Sequence, residues 1–183
     1  MPLQRSVIGI AALAIFASGA VRAQDDAAER RAELDANSNE TLQKLYAAVV
    51  GSKALYDEAA GYAVFSATKA GFGISGGGGS GIAFDKDAGK AVYMKMAMGG
   101  IGFTYGAQRY DIVMLFQSGA RLKAFIDGGW DAGAAAEASA GADSAEAGVA
   151  FIDGAAVFTL TGTGAMASAS VSGTRFWVDE DLN

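Results

Sequence analysis

The sequence contains no cysteine and no histidine, and its single proline stands at position 2. Without cysteine the chain can form no disulfide, no zinc–thiolate site and no lipid attachment through an N-terminal lipobox cysteine. Without histidine, acid–base or metal chemistry at neutral pH would depend on carboxylates, lysines and hydroxyls alone. These absences argue against an enzyme, and we expect no catalytic site, no metal and no cofactor.

Basic residues are also scarce, with 14 lysines and arginines against 20 aspartates and glutamates. Binding to nucleic acid generally requires a basic surface, so we expect no nucleic-acid partner. A local basic face remains compatible with this composition.

Long apolar runs are confined to the N-terminus, which has the features of a secretory signal peptide. Arg5 supplies the positive start, an apolar stretch of about ten residues follows, and Val21-Arg22-Ala23 offers small residues to a signal peptidase. A membrane-spanning helix would need about 20 apolar residues, so this run is too short to be one. We therefore predict that residues 1–23 are cleaved and the remaining chain is exported. Loss of Arg5 and Arg22 would leave 12 basic against 20 acidic residues, a net charge of −8.

Residues 24–60 show a helical pattern, because Leu42, Leu45, Tyr46 and Val49 recur at helical spacing. Asn37 followed by Glu40 resembles a capping box, which predicts a break near Ala36. Gly51-Ser52 then predicts a helix end and a shorter helix through Leu55 to Ala59. We expect this apolar stripe to pack on a sheet. The alternative is a membrane-surface role, in which Lys44 and Lys53 would meet anionic lipid.

Residues 61–183 read as a glycine-rich β domain with one short helix at about 118–127. Seven of the eleven residues from Gly71 to Gly81 are glycine, which predicts bulges, tight bends or a surface that closely approaches the backbone. Methionines alternate along Val92–Met98. Tyr110–Phe116 is apolar on both faces, which indicates a central strand. Residues 131–150 are rich in alanine, and we interpret them as close-packed strands with a loop near Asp143. The predicted strands are Tyr62–Ser66, Phe72–Ser75, Gly81–Phe84, Val92–Met98, Ile101–Tyr105, Tyr110–Phe116, Ala155–Leu160, Gly164–Ser172 and Thr174–Val178.

These patterns predict an α+β fold. Its N-terminal helices would pack on a strongly curved, mainly antiparallel sheet, with closure into a barrel as the extreme of that curvature.

Three local motifs could indicate chemistry, and each lacks its necessary context. Ser66-Ala-Thr-Lys69 matches the S-x-x-K of serine penicillin-recognising enzymes, but it lies between strands and its partner motifs are missing. The glycine run is followed by no G-K-[ST] and no helix, so it is not a phosphate loop. Asp85 and Asp87 lack the further ligands of a calcium loop, and we interpret them as a solvated turn.

Three cations stand beside glycine or at strand ends, where their side chains can reach past a sheet: Lys69, Arg109 and Arg175. Such positions suit an anionic headgroup, and Arg109 could bind a phosphate bidentately. The alternative is that each cation pairs with a carboxylate of this acidic protein.

An ordered set of motifs resembles the SYLF-domain family over roughly Leu42 to Val178. The motifs are Lys69-Ala-Gly-Phe72, Gly106-Ala-Gln-Arg-Tyr110 with the strand that ends in Leu115-Phe116, Gly129-Trp130, Gly164-Ala-Met166 and Ser172-Gly-Thr-Arg-Phe176. In the family pattern Lys69 and Arg109 match basic positions, and Arg175 stands where lysine is usual. Ser66-Ala67-Thr68 and Thr163 depart from that pattern and thin the positive patch.

The resemblance implies a non-enzymatic module that binds anionic phospholipid at a membrane surface, through an N-terminal amphipathic helix and basic positions. Together with the predicted signal peptide, its bacterial character indicates a periplasmic protein that is peripheral to the membrane, for which actin is not an expected partner. The lipid-binding residues would be Lys69, Arg109, Arg175, Lys44 and Lys53. The alternative function is a structural or assembly protein of the cell envelope, which would form homo-oligomers or bind other envelope proteins through open strand edges.

Overall fold

The computed structural model describes residues 11–72, 74–101, 106–128, 150–151, 153–162, 164–167 and 174–183. Along the chain, two helices precede the first strand and a third follows the fourth strand. The helices are α1 (Ala11–Ala48), α2 (Ser52–Glu58) and α3 (Gly119–Gly128). The strands are β1 (Gly61–Phe72), β2 (Ile74–Asp85), β3 (Lys90–Ile101), β4 (Gly106–Phe116), β5 (Ala155–Thr161), β6 (Gly164–Ala167) and β7 (Thr174–Val178).

The strands form one antiparallel sheet in the order β6-β5-β4-β1-β2-β3-β7. Because side chains alternate along a strand, each strand contributes to two separate cores. On one face, Leu42 and Leu45 of α1 pack with strand residues such as Val64. On the other face, Phe125 of α3 packs with a second set that includes Phe65. The predicted α+β class and the packing of the N-terminal helices on the sheet are confirmed.

The predicted break near Ala36 is wrong, since α1 continues through Asn37 without interruption. Leu34, Leu42 and Leu45 lie on the buried side of α1 before and after the expected break. Packing of this continuous apolar face outweighs the local preference for a cap. The helix ends where predicted, and the buried Ser52 hydroxyl donates to the carbonyl oxygens of Val49, at 2.7 Å, and Leu45, at 3.2 Å.

The glycine run does not divide the chain into three short strands, as the sequence suggested. It belongs to β2, whose residues pair in unbroken register with β1 and β3 from Ile74 to Asp85. Of the explanations offered for the glycines, the one that holds is that another surface closely approaches the backbone. A Cβ atom on Gly81 would lie 2.0 Å from the Val64 carbonyl oxygen and 2.6 Å from Cδ1 of Phe65. Glycine therefore lets β1 and the Phe65 ring lie directly against β2.

Strong curvature with closure into a barrel is also not what the chain forms. The two outer strands, β6 and β7, stand at opposite edges of the sheet, and in the described residues they do not pair with each other. Helices cover both faces, α1 and α2 on one and α3 on the other. Since layers of helix already bury the apolar residues of both faces, the sheet does not need to close on itself.

Most of the predicted elements that can be compared are confirmed. Ile112–Phe116 is buried on both faces of β4, as expected of a central strand, and α3 and β7 occur where predicted. Residues 102–105, 129–149 and 168–173, which carry much of three other predicted segments, lie outside the described residues. Within the described part of the chain, no helix is long and apolar enough to cross a membrane.

Candidate functional site

The face of the sheet that packs against α1 is only partly covered, because the strands extend beyond this helix. Val64 and Ile82 lie under α1, but the residues that follow on the same face of the strands are small and exposed. We call these residues the exposed floor. They are Ser66, Thr68 and Ala70 of β1, Gly76 and Gly78 of β2, and Ala97 and Gly99 of β3.

Strand register places two arginines at the ends of one row across this floor. Arg109 of β4 pairs with Thr68, Thr68 with Gly78, Gly78 with Ala97, and Ala97 with Arg175 of β7. Four strand spacings of about 4.8 Å put the two Cα atoms about 19 Å apart, with Gly78 midway between them. We call this line the arginine row.

Both arginines of this row are exposed. Among the described residues, neither guanidinium forms a hydrogen bond or an ion pair. An anion that rests on Gly78 would therefore have one uncommitted guanidinium group on each side.

In the neighbouring row, the β4 position is an aspartate that is already hydrogen-bonded. The Ser66 hydroxyl donates a hydrogen bond to Asp111 Oδ1 at 2.6 Å. Lys44, on the adjacent side of α1, forms an ion pair with Glu40 at 2.8 Å. The hydrogen bond to Glu40 is the main cause that raises the pKa of Lys44, and the charge of Asp111 adds to it. Lys44 thus borders the floor, with its charge partly matched by two carboxylates.

The β7 side of that row is occupied by a second ion pair. Lys95 Nζ lies 2.7 Å from Asp179 Oδ1 and 3.4 Å from Asp181 Oδ2. The hydrogen bond to Asp179 is the largest cause that raises the pKa of Lys95. The Asp179 side chain is 0% exposed, so Lys95 is needed to compensate a buried carboxylate and is not free to meet a ligand.

The five cations that the sequence suggested do not form one site. Arg109 and Arg175 share the arginine row, and Lys44 lies beside it. Lys69 pairs in register with Gln108 and Gly77, so it faces the opposite side of the sheet. Lys53 belongs to α2, where it forms an ion pair with Asp57 at 2.5 Å. The described residues contain no group of three or more acidic side chains that could hold a metal ion.

Sequence reasoning missed Trp177, which is 42% exposed and stands opposite Lys95 in the register of β7 with β3. Its spacing of two from Arg175 was a usable signal. Residues two apart in a strand share a face, so an arginine and a tryptophan at this spacing present themselves together.

Comparisons with known proteins agree with the motifs of this sheet. Residues 97–183, which include both arginines of the row, match the model of the family described as "Ysc84: Las17-binding protein actin regulator". The chain is also similar to beta cell expansion factor A of Aeromonas veronii, with 33% identity over 156 residues. That alignment covers 85% of this chain and 60% of the relative, so the chain spans about three fifths of the relative's length.

Proposed function

Because this chain belongs to the Ysc84/SYLF-domain family, which is associated with lipid and actin binding, we propose that it is a non-enzymatic module that binds anionic phospholipid. Binding would be peripheral, at a membrane of the cell envelope, and would take place outside the cytoplasm, in the periplasm. The observation that carries this proposal is the arginine row, in which two exposed and uncommitted guanidinium groups flank Gly78.

The chemistry of the row suits a phosphate group. A guanidinium group is planar, always charged and able to form two parallel hydrogen bonds with phosphate oxygens. Between the arginines, Gly78 and Ala97 leave the floor low, and the exposed Thr68 hydroxyl offers a further donor. A lipid headgroup could therefore approach the strands without displacing a large side chain.

An overall acidic chain can still bind an anionic surface through such a patch. Salt limits the reach of charge–charge interactions to about 8 Å under physiological conditions, so the local arrangement matters more than the net charge. Beside the arginine row, Asp111 accepts a hydrogen bond from Ser66 on the β4 side, and Asp179 and Asp181 pair with Lys95 on the β7 side. Near an anionic membrane each arginine would contribute about 1 kcal/mol.

The first prediction concerns the two arginines of the row. We expect Arg109→Gln and Arg175→Gln each to weaken binding to anionic vesicles about fivefold, and the double variant to weaken it more than either single change. Co-sedimentation with vesicles of phosphatidylcholine, with and without phosphatidylglycerol, at low and high salt, measures this effect. Binding by the unchanged protein should require the anionic lipid and should fall as salt rises.

Two controls locate the site on one face of the sheet. Lys90→Gln removes the same charge from an exposed position at the opposite end of β3, and we expect little change in binding. Lys69→Gln removes a charge from the other face of the sheet. If Lys69→Gln weakened binding as strongly as Arg109→Gln, the arginine row would not be the headgroup site. If the unchanged protein pelleted with no vesicle, the lipid-binding proposal would be rejected.

The open sheet also favours the alternative of an envelope assembly protein. In the described residues, the outer edge of β7 has no partner strand, and the chain has no proline after position 2 to block edge pairing. This function predicts a homo-oligomer, or a complex with another envelope protein, that forms with rising concentration and shows no lipid selectivity. Sedimentation velocity over a range of concentrations distinguishes it from lipid binding.

A further inference from the structure

Two large hydrophobic side chains are exposed in the described part of the chain, Val50 at 96% and Trp177 at 42%. Val50 lies in the turn between α1 and α2. Trp177 lies on the edge strand β7, on the same face as Arg175. An indole ring left partly in water beside an uncommitted guanidinium group needs a physical explanation.

The strand that carries Trp177 is anchored in the core on the α3 side of the sheet. Phe176, between the two exposed residues, is 2% exposed and belongs to the α3-side core. Its ring centroid lies 4.8 Å from that of Phe65 and 5.4 Å from that of Phe125. Because Phe176 is fixed in this aromatic cluster, Arg175 and Trp177 point to the opposite face from a rigid strand.

The cation opposite Trp177 does not compete with Arg175 for an anion. Lys95 is held by Asp179 at 2.7 Å and also approaches Asp181. Of the two cations at this edge, Arg175 is therefore the available one, and it lies beside the indole ring. The Asp181 carboxylate, which is 83% exposed, lies on the Lys95 side.

The position of this pair within the fold also matters. A helix with its side chains is about 10 Å thick, so α1 rises above the exposed floor along one of its borders. The β7 edge lies four strands away from β4, where Lys44 of α1 approaches Asp111. At its other end α1 reaches the chain that follows β7, where Arg31 Nε donates to the Leu182 carbonyl oxygen at 2.8 Å. The outer side of β7 has no strand beside it in the described residues, so a bilayer can approach Arg175 and Trp177 from that open side.

On the basis of the proposed lipid-binding function, we propose that Trp177 is the interfacial anchor and that the β7 edge is the side of the molecule that meets the bilayer. Tryptophan favours the boundary between headgroups and acyl chains, because its ring is largely apolar and its N–H can still donate a hydrogen bond. Arg175 would bind a phosphate at the level of the headgroups while the indole ring enters just below it. One apolar contact and one ionic contact together give firmer attachment than either gives alone.

Fluorescence of Trp177 tests this orientation directly. Trp130→Phe makes Trp177 the sole tryptophan, since the chain has 2. With phosphatidylcholine–phosphatidylglycerol vesicles, we expect its emission to shift to shorter wavelength and to be quenched by phosphatidylcholine brominated near the top of the acyl chain. We also expect Trp177→Ala to weaken vesicle binding about tenfold, mainly by removing the part that persists at high salt. Trp177→Phe should restore most of that loss.

The controls separate this inference from the proposed function. Val50→Ala removes the other exposed apolar side chain and should leave binding unchanged. If the protein pelleted with anionic vesicles but Trp177 showed neither a shift nor quenching, the anchor would be rejected and lipid binding would stand. An equal loss of binding in Val50→Ala and Trp177→Ala would likewise reject the β7 edge as the contact side. Because the fluorescence arm keeps Trp177 in place, it does not depend on whether Trp177→Ala folds.

Discussion

Glycines of the same run meet different surroundings because consecutive residues face opposite sides of the sheet. Cβ atoms on Gly77, Gly79 and Gly81 would each lie within 2.5 Å of a carbonyl oxygen of β1. Gly76 and Gly78 face the exposed floor, where there is more room. The sequence predicted a close approach to the backbone, but composition alone could not tell which glycines touch β1 and which line an open surface.

Gly81 and Gly99 provide a matched test of this difference. Gly81→Ala should lower the free energy of unfolding by about 1–3 kcal/mol, because the new methyl group would overlap the Val64 carbonyl and the Phe65 ring. A Cβ atom on Gly99 would meet no atom within 4 Å, and Gly99 has no positive φ. Gly99→Ala should therefore be neutral, or stabilise the protein by about 0.4–1 kcal/mol through a less flexible unfolded chain. Urea unfolding measures both, and equal effects of the two substitutions would contradict this account.

Helix α2 shows how a short element depends on a distant residue. It has only 7 residues, a length at which a helix is not stable in isolation. Lys86, in the turn between β2 and β3, donates from Nζ to the carbonyl oxygens of Tyr56 and Ala59, both at 2.8 Å. Its charge also lies 4.6 Å from the Tyr56 ring centroid. Lys86 thus satisfies the C-terminal carbonyl groups of α2 and connects this helix to the sheet.

We predict that Lys86→Met lowers the free energy of unfolding by about 1–3 kcal/mol, because it leaves the apolar stem but removes charge-assisted hydrogen bonds. The matched control is Lys90→Met, at the exposed start of β3, where among the described residues the lysine makes no such bond. Thermal or urea unfolding measures the difference. Equal stability of the two variants would show that Lys86 is not a significant support of α2.

The elements best predicted from sequence are those whose pattern is local. The apolar stretch of β4, the short α3 and the strand Thr174–Val178 have clear periodicity and turn residues at their ends. The uninterrupted course of α1 and the full length of β2 depend on packing against other elements, which local propensity does not contain. The same limit applies to the site. Arg109 and Arg175 were candidates from sequence, but only the order and register of five strands puts them on one row and Lys69 on the other face.

At the scale of the whole molecule, a series of aromatic ring contacts joins both N-terminal helices to the sheet. Tyr46 of α1 meets Tyr56 of α2 edge to face at 5.5 Å between ring centroids, and Tyr56 meets Tyr62 of β1 at 5.4 Å. Phe84 of β2 then stacks on Tyr62 at 5.4 Å. Burial, the largest cause in each case, raises the pKa of all three phenols, and that of Tyr62 reaches about 12. The protein therefore holds these tyrosines in the neutral form.

The sign of the resulting pH dependence follows from the unfolded state, where a tyrosine ionises near pH 10. Below that pH the phenols are neutral in both states, and the stabilising effect of the raised pKa is fully present. As the pH rises from about 10 towards 12, the unfolded chain gains stability by ionising while Tyr62 in the folded protein resists ionisation. We predict that stability falls across this window and that phenol ionisation, followed by absorbance near 295 nm, coincides with the loss of the circular dichroism signal.

Tyr62→Phe isolates the contribution of tyrosine from that of the lysines, which lose their charge at similar pH. Lys44 and Lys95 also have a raised pKa, so their ion pairs with Glu40 and Asp179 weaken in the same direction. The variant keeps those pairs and the aromatic ring but cannot ionise at position 62, so its alkaline unfolding should move to higher pH. If the midpoint did not move, or if the phenols titrated well before unfolding, these buried tyrosines would not be what limits stability in alkali.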